Sequence, residues 1–312
     1  MPQRDIQTEK RLTARRVIFV SFVVDLLDIV LSLTVAIFSG SIIMITQVYE
    51  AISDLASSSL LLIGAQRSLM KEDKTHPFGY GREIYFWTLI AALVMFGITS
   101  TVSIYSGWHR IFDPEPIKDI SWALLVLVAT VFTNGYAFIM SLRRLLRRRP
   151  LKHIIRIFYR SSLVETKTTF ILDLMGTIAS ILGIVALGIY VVTGDQRFDG
   201  IGAVVIGIVL AILAILLLAG IRDMLVGRSA PFETEAKIRR VAKDVEGVTD
   251  VLDIKTLHIG SDRLLVNLDV HMAGHLTTRE LERLIDKIKA EIQKEVPSVK
   301  YIQVELETPE RK

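Results

Sequence analysis

Acidic side chains inside otherwise apolar stretches are the residues of this sequence best suited to chemistry. Glu50 and Asp54 are spaced i, i+4, so on a helix their carboxylates lie on one face about one turn apart. Thr169 and Asp173 repeat that spacing in a later apolar stretch. Charged groups are costly within a bilayer, so such residues usually face the protein interior and have a function. Two helices presenting these oxygen donors to each other would surround one divalent cation, and four ligands suit a tetrahedral site.

Neither stretch has a Lys or Arg near its middle that would neutralise these acids, and the nearest basic residue of the later stretch is Lys167 at its mouth. Carboxylates without a counter-charge in a low dielectric favour the protonated form, and a divalent cation would displace those protons. The pattern therefore predicts exchange of a metal for protons. The alternative is that the acids only form hydrogen bonds between helices, which is common for polar residues in membranes.

A second pair of acids, Asp25 and Asp28, lies at i, i+3 spacing in the first apolar stretch. Three roles are open for this pair: carrying protons, bonding to a neighbouring helix, or serving as auxiliary metal ligands. The first two are the usual roles of acids that lie outside the main cluster.

Six apolar stretches have the length needed to position these residues in a membrane. Of the 312 residues, 51% are hydrophobic, and the mean hydropathy is +0.45. A bilayer-spanning helix needs about 20 mainly apolar residues. We expect a transmembrane domain at 17–222 after a short cytoplasmic segment at 1–16, with no signal peptide. The six predicted spans are 17–38, 41–65, 84–108, 120–142, 168–192 and 201–221.

The distribution of basic residues predicts the orientation. The N-terminal segment and the second and fourth loops contain 18 Lys and Arg residues, whereas the other three loops contain three. Because Lys and Arg accumulate in cytoplasmic loops, both termini should be cytoplasmic. This topology also accounts for the net charge of +4, so the lipid bilayer is an expected partner and nucleic acid is not. The absence of Cys excludes disulfides and thiolate metal sites.

The C-terminal segment 230–312 is rich in charge and predicts a small α+β domain. Its order is α-β-β-α-β, which suggests a ferredoxin-like layer of helices on an antiparallel sheet. A domain of this size has a marginal core, so dimerisation would stabilise it. The predicted helices are 234–246 and 277–295, and the predicted strands are 251–259, 264–272 and 301–307.

Several motifs together resemble the cation diffusion facilitator family, and the resemblance covers nearly the whole chain. The most specific match is the segment His76–Glu83, HPFGYGRE, which precedes the third span. Glu50, Asp54 and Asp173 fall where that family has its transport site, and Asp199 with the following glycine opens the sixth span as in the family. The resemblance implies a homodimeric exporter of divalent metal from the cytosol, with protons moving the other way. It also implies a cytoplasmic domain that dimerises and senses metal. We expect the protein to lie in a cell (inner) membrane.

The transport site differs from that of zinc transporters in the family, which commonly have His at the positions of Glu50 or Thr169. A site made only of oxygen donors favours Mn²⁺ or Fe²⁺ over Zn²⁺, for which imidazole is a preferred ligand. Thr169 is a weak neutral donor, so backbone, water or another span would complete the site. All three metals remain candidate substrates, and no organic cofactor is expected.

Two further metal sites compete with structural interpretations. In the second loop, Asp73 and His76 would either share a metal or set a turn before the glycines that follow. In the C-terminal domain, alternation predicts either a polar outer sheet face or a metal site. The residues of that second site would be His258, Asp269, His271, Glu305 and Glu307.

Two other function classes use the same spans differently. A membrane-embedded hydrolase would need a nucleophile or an activated water, and no G-x-S-x-G, H-E-x-x-H or phosphate-binding motif lies in the spans. A metal-sensing scaffold would need the spans only as an anchor, and six spans with buried acids exceed that need. We therefore expect a secondary transporter and not an enzyme.

Overall fold

A computed structural model describes residues 26–146, 164–274 and 276–308, together with the isolated positions 150 and 154. The predicted cytoplasmic segment 1–16 lies outside these residues. The described chain divides into two compact units. The first contains most of the apolar helices, and the second contains the C-terminal domain together with residues 63–87.

Long helices occupy the predicted spans. Five are long and apolar enough to cross a membrane, and the span predicted at 17–38 is described only from Leu26 onward. The third span is continuous over 30 residues because a π-helical segment, Met95–Ser100, joins its two α-helical parts. The α-helices are α1 (Leu26–Ser39), α2 (Ile42–Ser68), α3 (Glu83–Val94), α4 (Thr101–Phe112), α5 (Ile120–Leu146), α6 (Val164–Thr193) and α7 (Arg197–Val226).

Large apolar side chains on these helices point outward. Phe132 is 74% exposed and Val192 is 86% exposed, and many others resemble them. Such a surface is rare on a soluble monomer and suits contact with lipid. Trp108 and Trp122 are also exposed at the end where α4 and α5 are joined, as expected of an aromatic belt at a membrane interface.

Small residues bring α4 and α7 into backbone contact. A Cβ at Gly107 would lie 2.6 Å from the carbonyl oxygen of Gly200, and a Cβ at Gly200 would lie 2.6 Å from that of Gly107. Close approach at small residues is the usual way in which membrane helices pack. On another side, Thr99 of the π-helical segment donates a hydrogen bond to Ser53 Oγ of α2 at 2.7 Å. The third span is therefore held against α2 beside Glu50 and Asp54.

The C-terminal domain has the predicted order of elements, with a difference in the sheet. The elements are α8 (Phe232–Lys243), β1 (Val248–Gly260), β2 (Arg263–Met272), α9 (Thr278–Glu295) and β3 (Val299–Leu306). The strand order is β1-β2-β3; β1 pairs antiparallel with β2, and β3 pairs parallel with β2. The expectation of a wholly antiparallel sheet was wrong, because the α9 crossover returns the chain to the end from which β2 started.

One face of this sheet packs on α8 and α9. Val266 and Leu268 of β2 are fully buried against Ile238 of α8 and Ile288 of α9. The residues that alternate with them in β2 are only half-buried, as expected for a strand with one face toward a core. A capping box formed by Thr277 and Glu280 starts α9.

The loop between α2 and α3 belongs to the same compact unit as this domain. A Cβ at Gly81 would overlap the carbonyl oxygen of Ile259 at the end of β1. Phe78 contacts Tyr301 of β3 edge-to-face, with ring centroids 5.2 Å apart. Arg82 donates a hydrogen bond to the carbonyl oxygen of Leu225. The loop that carries the HPFGYGRE segment is thus packed directly on the hairpin of the C-terminal domain.

Candidate functional site

Glu50 and Asp54 lie near the middle of α2 and line the same cavity, as their spacing predicts. The cavity encloses ≈ 30 Å³, which is room for about one or two waters or an ion. Asp28 of α1 and Asn134 of α5 also line it, so three different helices contribute polar groups. The remaining lining residues are Ser32, Gln47, Ala51 and Thr130.

The two carboxylate oxygens of Glu50 have different surroundings. Its side chain is 2% exposed, and Oε2 accepts a hydrogen bond from Gln47 Nε2 at 3.1 Å. Gln47 is held in turn by Ser180 of α6, whose hydroxyl donates to Gln47 Oε1 at 3.0 Å. Oε1 of Glu50 is buried with no hydrogen-bond partner among the described residues. A buried polar atom left in this way costs about 1–3 kcal/mol, and more when it is charged, so this oxygen is a place for a proton or a cation.

Helix α6 approaches α2 one turn beyond Asp173. A Cβ at Gly176 would lie 3.4 Å from Glu50 Oε1 and 2.6 Å from Asn134 Nδ2, so any larger residue here would force the Asn134 side chain to shift. Asp173 and Thr169 lie on the same helix, but neither is among the residues that line the cavity. Within the described part of the chain, no three His, Asp or Glu side chains are close enough to hold a metal. The four-donor set across α2 and α6 therefore stays a prediction.

Asp28 is the acid of the first span that the structure describes. Its Oδ2 accepts a hydrogen bond from Thr133 Oγ1 of α5 at 3.4 Å, and it shares the cavity with Glu50 and Asp54. This position is compatible with all three predicted roles: a proton carrier, a contact between helices and an auxiliary metal ligand. Asp25, the other member of the predicted pair, lies outside the described residues.

A fully buried carboxylate, that of Asp199, anchors the N-terminal end of α2. Asp199 is 0% exposed, and it accepts hydrogen bonds from the hydroxyl of Ser41 at 2.7 Å and from the backbone N–H groups of Ile42 at 2.7 Å and Ile43 at 3.1 Å. Arg110 Nε lies 3.8 Å from Asp199 Oδ2. The first backbone N–H groups of a helix lack partners within the helix, and an acidic side chain satisfies them and favours the positive end of the helix dipole.

Sequence reasoning missed both this anchor and the amides beside Glu50. The sequence analysis placed Asp199 only at the opening of the sixth span, although an Arg and an Asp at the ends of two apolar spans are a signal of pairing. Asn134 and Gln47 are amides inside apolar stretches. Like the acids, these amides are expected to face the protein interior, since polar side chains in a membrane need partners.

Two family models match the chain in succession. Residues 18–226 match the cation efflux transmembrane domain, and residues 230–308 match the cytoplasmic domain of cation efflux proteins. The chain belongs to the cation efflux family. This is the family of cation diffusion facilitators that its motifs resemble, and the chain is a multi-pass membrane protein.

Curated relatives of this chain are distant in sequence. It is 24% identical over 284 residues to the proton-coupled zinc antiporter SLC30A9, mitochondrial, of Homo sapiens, which covers 89% of this chain and 50% of that protein. It is 23% identical over 243 residues to metal tolerance protein C4 of Arabidopsis thaliana, covering 77% of this chain and 53% of that one. It is 22% identical over 254 residues to the cation-efflux pump FieF of Yersinia enterocolitica, covering 80% and 78%. The chain spans about half the length of the first two relatives.

The hydrogen bonds of Asp73 in the α2–α3 loop are those of a turn. Its Oδ1 accepts from the backbone N–H groups of Thr75 at 2.8 Å and His76 at 2.7 Å, and its Oδ2 accepts from the hydroxyl of Tyr80 at 2.8 Å. The hydrogen bonds from Thr75 and then Tyr80 hold the pKa of Asp73 well below its ordinary value. The His76 ring lies 3.8 Å from Asp73 Oδ1 and stacks on Tyr80. These contacts favour the turn over a shared metal.

The strand register places two of the predicted C-terminal acids side by side. Asp269 of β2 pairs with Glu305 of β3, so both lie on the sheet face away from the helices. Lys255 of β1 lies 3.9 Å from Asp269 and 3.2 Å from Asp253. This ammonium group supplies positive charge that a metal would otherwise bring, so the arrangement favours a polar outer face.

The two histidines of the predicted C-terminal metal site do not meet. His258 pairs with Leu264, which faces the core, and it is 3% exposed. Paired residues share a sheet face, so His258 lies on the core face of the sheet with Leu264. Asp269 lies on the other face, so the two side chains do not point to one metal site. His271 lies on the outer face, where its Nδ1 is 3.1 Å from the backbone oxygen of Glu307. The five-residue set that includes His258 stays a prediction, and the strand register does not favour His258 as a member of it.

Proposed function

We propose that this chain exports divalent cations from the cytosol in exchange for protons. The observation that carries the proposal is the buried Oε1 of Glu50, which has no hydrogen-bond partner in the described structure and belongs to a side chain lining a cavity amid apolar helices. Asp54 lines the same cavity. Relatives named as a proton-coupled zinc antiporter and a cation-efflux pump support this function.

The proposed site consists of Glu50, Asp54 and Asp173, with Thr169 as a weaker donor. In the inward-open state the deprotonated carboxylates take up the cation. A shift of α6 along α2 near Gly176 would bring the α6 donors toward those of α2 and then expose the ion to the other side. Protons compete there for the carboxylate oxygens and release the metal.

Zn²⁺, Mn²⁺ and Fe²⁺ are the proposed substrates. The donors named above are all oxygen atoms, which favours Mn²⁺ and Fe²⁺. Zinc is retained because one of the curated relatives is named as a zinc antiporter. The proposal includes no organic cofactor.

The proposed orientation has both termini in the cytoplasm of a cell (inner) membrane. The α2–α3 loop packs on the C-terminal domain within one unit, which supports placing both on the same side of the membrane. The excess of Lys and Arg in that loop and in the α5–α6 connection favours the cytoplasmic side. We propose domain limits of 1–16, 17–222 and 230–312, and a homodimer formed through the C-terminal domain, which matches the family's cytoplasmic domain.

The test is metal-dependent proton flux in sealed proteoliposomes that contain the full chain, run in parallel with Zn²⁺, Mn²⁺ and Fe²⁺. We expect an imposed pH gradient to drive metal across the membrane, and we expect Asp54→Ala to abolish that flux. Asp113→Ala is the matched control, because Asp113 is an exposed acid in the loop after α4. Wild-type vesicles that move none of the three ions would contradict the transporter, as a hydrolase or an anchored scaffold would behave in this way. Normal flux in Asp54→Ala would contradict the site.

A further inference from the structure

The polar groups around Glu50 leave one direction open for a ligand. Gln47 donates a hydrogen bond to Oε2 of Glu50, and Ser180 donates a hydrogen bond to Gln47. The side chains of Gln47 and Ser180 are both buried. These hydrogen bonds orient the carboxylate, and the single hydroxyl hydrogen of Ser180 is shared between Gln47 Oε1 and the carbonyl oxygen of Gly176, which lies 2.9 Å from Ser180 Oγ. The other oxygen, Oε1, has no partner in the described structure. A ligand for Glu50 must therefore approach on the side of Oε1.

Asn134 of α5 lies on that same side. A Cβ at Gly176 would touch both Glu50 Oε1 and the amide of Asn134, so the two polar groups converge on one point of α6. An asparagine amide presents either nitrogen or oxygen after a half-turn about its last bond. A bound cation would select the oxygen.

The cavity next to these two groups has the size for one cation and an acidic lining, although its three acids do not by themselves come close enough together to hold a metal. Its charged lining residues are Asp28, Glu50 and Asp54, and its lining contains no Lys or Arg. The ≈ 30 Å³ volume admits one ion with little water, so protein donors must replace most of the hydration shell. Six-coordinate ions such as Mn²⁺ need more oxygen donors than Zn²⁺, which four ligands satisfy.

We propose that the amide oxygen of Asn134 is a ligand of the transported cation, so that α5 completes a site otherwise assigned to α2 and α6. The proposal rests on the proposed transport function. It supplies the donor that the weak hydroxyl of Thr169 does not. It also makes Asn134 a determinant of specificity, because loss of one oxygen weakens binding of a six-coordinate ion more than that of a four-coordinate ion.

The test is equilibrium binding of MnCl₂ and of ZnCl₂ to the purified full-length protein, measured by calorimetry without transport. We expect Asn134→Ala to weaken Mn²⁺ binding about tenfold or more and Zn²⁺ binding less, and Asn134→Asp, which keeps the shape and an oxygen, to retain Mn²⁺ binding. Gly135→Ala is the control, because a Cβ there meets nothing within 4 Å. A purely structural Asn134 would change folding without changing the ratio of the two affinities.

The outcomes separate this ligand from the function on which it rests. If wild-type protein binds metal and Asn134→Ala binds both ions as wild type does, Asn134 is not a ligand, although transport stands. Loss of Mn²⁺ binding in both Asn134→Ala and Asn134→Asp, with Zn²⁺ binding lost equally, would also overturn it, since that is the signature of a structural residue. If wild-type protein binds neither ion, that result contradicts both the transport function and the role of Asn134 as a metal ligand.

Discussion

Asp199 at the start of α7 caps α2 from a distance of 157 residues along the chain, because its Oδ2 accepts a hydrogen bond from the backbone N–H of Ile42 at 2.7 Å. The cap ties the N-terminal end of the helix that carries Glu50 and Asp54 to another span. Arg110 reinforces it through Asp199 and through a hydrogen bond to the carbonyl oxygen of Gly40. The position of the two acids thus depends on a contact about two turns from Glu50 and about three turns from Asp54 along α2.

Asp199→Ala should therefore destabilise the protein. We expect a loss of about 3 kcal/mol, the lower end of the cost of breaking a buried ion pair, because Arg110 keeps its 2.9 Å contact with Glu115. The measurement is the melting temperature of the full chain in lipid nanodiscs. Additive losses in the Asp199→Ala/Arg110→Ala double variant would show that the two side chains do not act together.

Gly176→Ala tests the meeting point of α2, α5 and α6. Its Cβ would lie 2.6 Å from Asn134 Nδ2, so the Asn134 side chain must move away from Glu50, and we expect metal binding to weaken about tenfold. Gly188→Ala is a matched control on the same helix, because a Cβ there meets nothing within 4 Å. Equal metal affinity of the two variants would show that this contact does not shape the site.

Thr169→His should shift selection toward zinc. An imidazole at this position would add a nitrogen donor one turn from Asp173, and nitrogen favours Zn²⁺ over Mn²⁺. The measurement is competition between the two ions in the vesicle flux assay. Thr193→His, at the far end of α6, is the control. If both variants select ions as wild type does, Thr169 does not face the transported ion.

Gly81→Ala should loosen the α2–α3 loop from the C-terminal domain. A Cβ there would overlap the backbone of Ile259, which cannot rotate away as a side chain would. We expect faster hydrogen exchange in residues 76–82 and at the β1–β2 hairpin. Gly274→Ala in the same unit serves as the control, since a Cβ at that position meets nothing within 4 Å. Unchanged exchange in both variants would mean that the loop is held elsewhere.

Asp73 should titrate well below its ordinary pKa, because Thr75, Tyr80 and His76 donate hydrogen bonds to its charged form. A carboxyl whose pKa is lowered on folding stabilises the fold above its unfolded pKa of about 3.9. That stabilisation is lost as the pH falls through the lower folded value. Carbon-detected NMR titration measures the midpoint, and Tyr80→Phe should raise it toward the ordinary value. A wild-type midpoint at the ordinary value would contradict the hydrogen-bonded turn.

The amino-acid sequence determined those features that depend on neighbours along the chain. The length of an apolar run decides whether a helix can cross a bilayer, so the described spans lie close to their predicted limits. The i, i+4 spacing decides that Glu50 and Asp54 share a helix face, and both do line one cavity. Alternation along β2 predicted which side chains face the core of the C-terminal domain.

Contacts between distant residues were decided only by the tertiary structure. Hydropathy does not say which span lies beside which, so it could not pair Asp199 with Ile42 or bring Asn134 to Gly176 and Glu50. The direction of β3 depends on where the α9 crossover ends, and the face of His258 depends on its register with Leu264. Each of these depends on packing between elements that no local pattern encodes, because a side chain's partner across a bundle or sheet is set by the geometry of whole helices and strands.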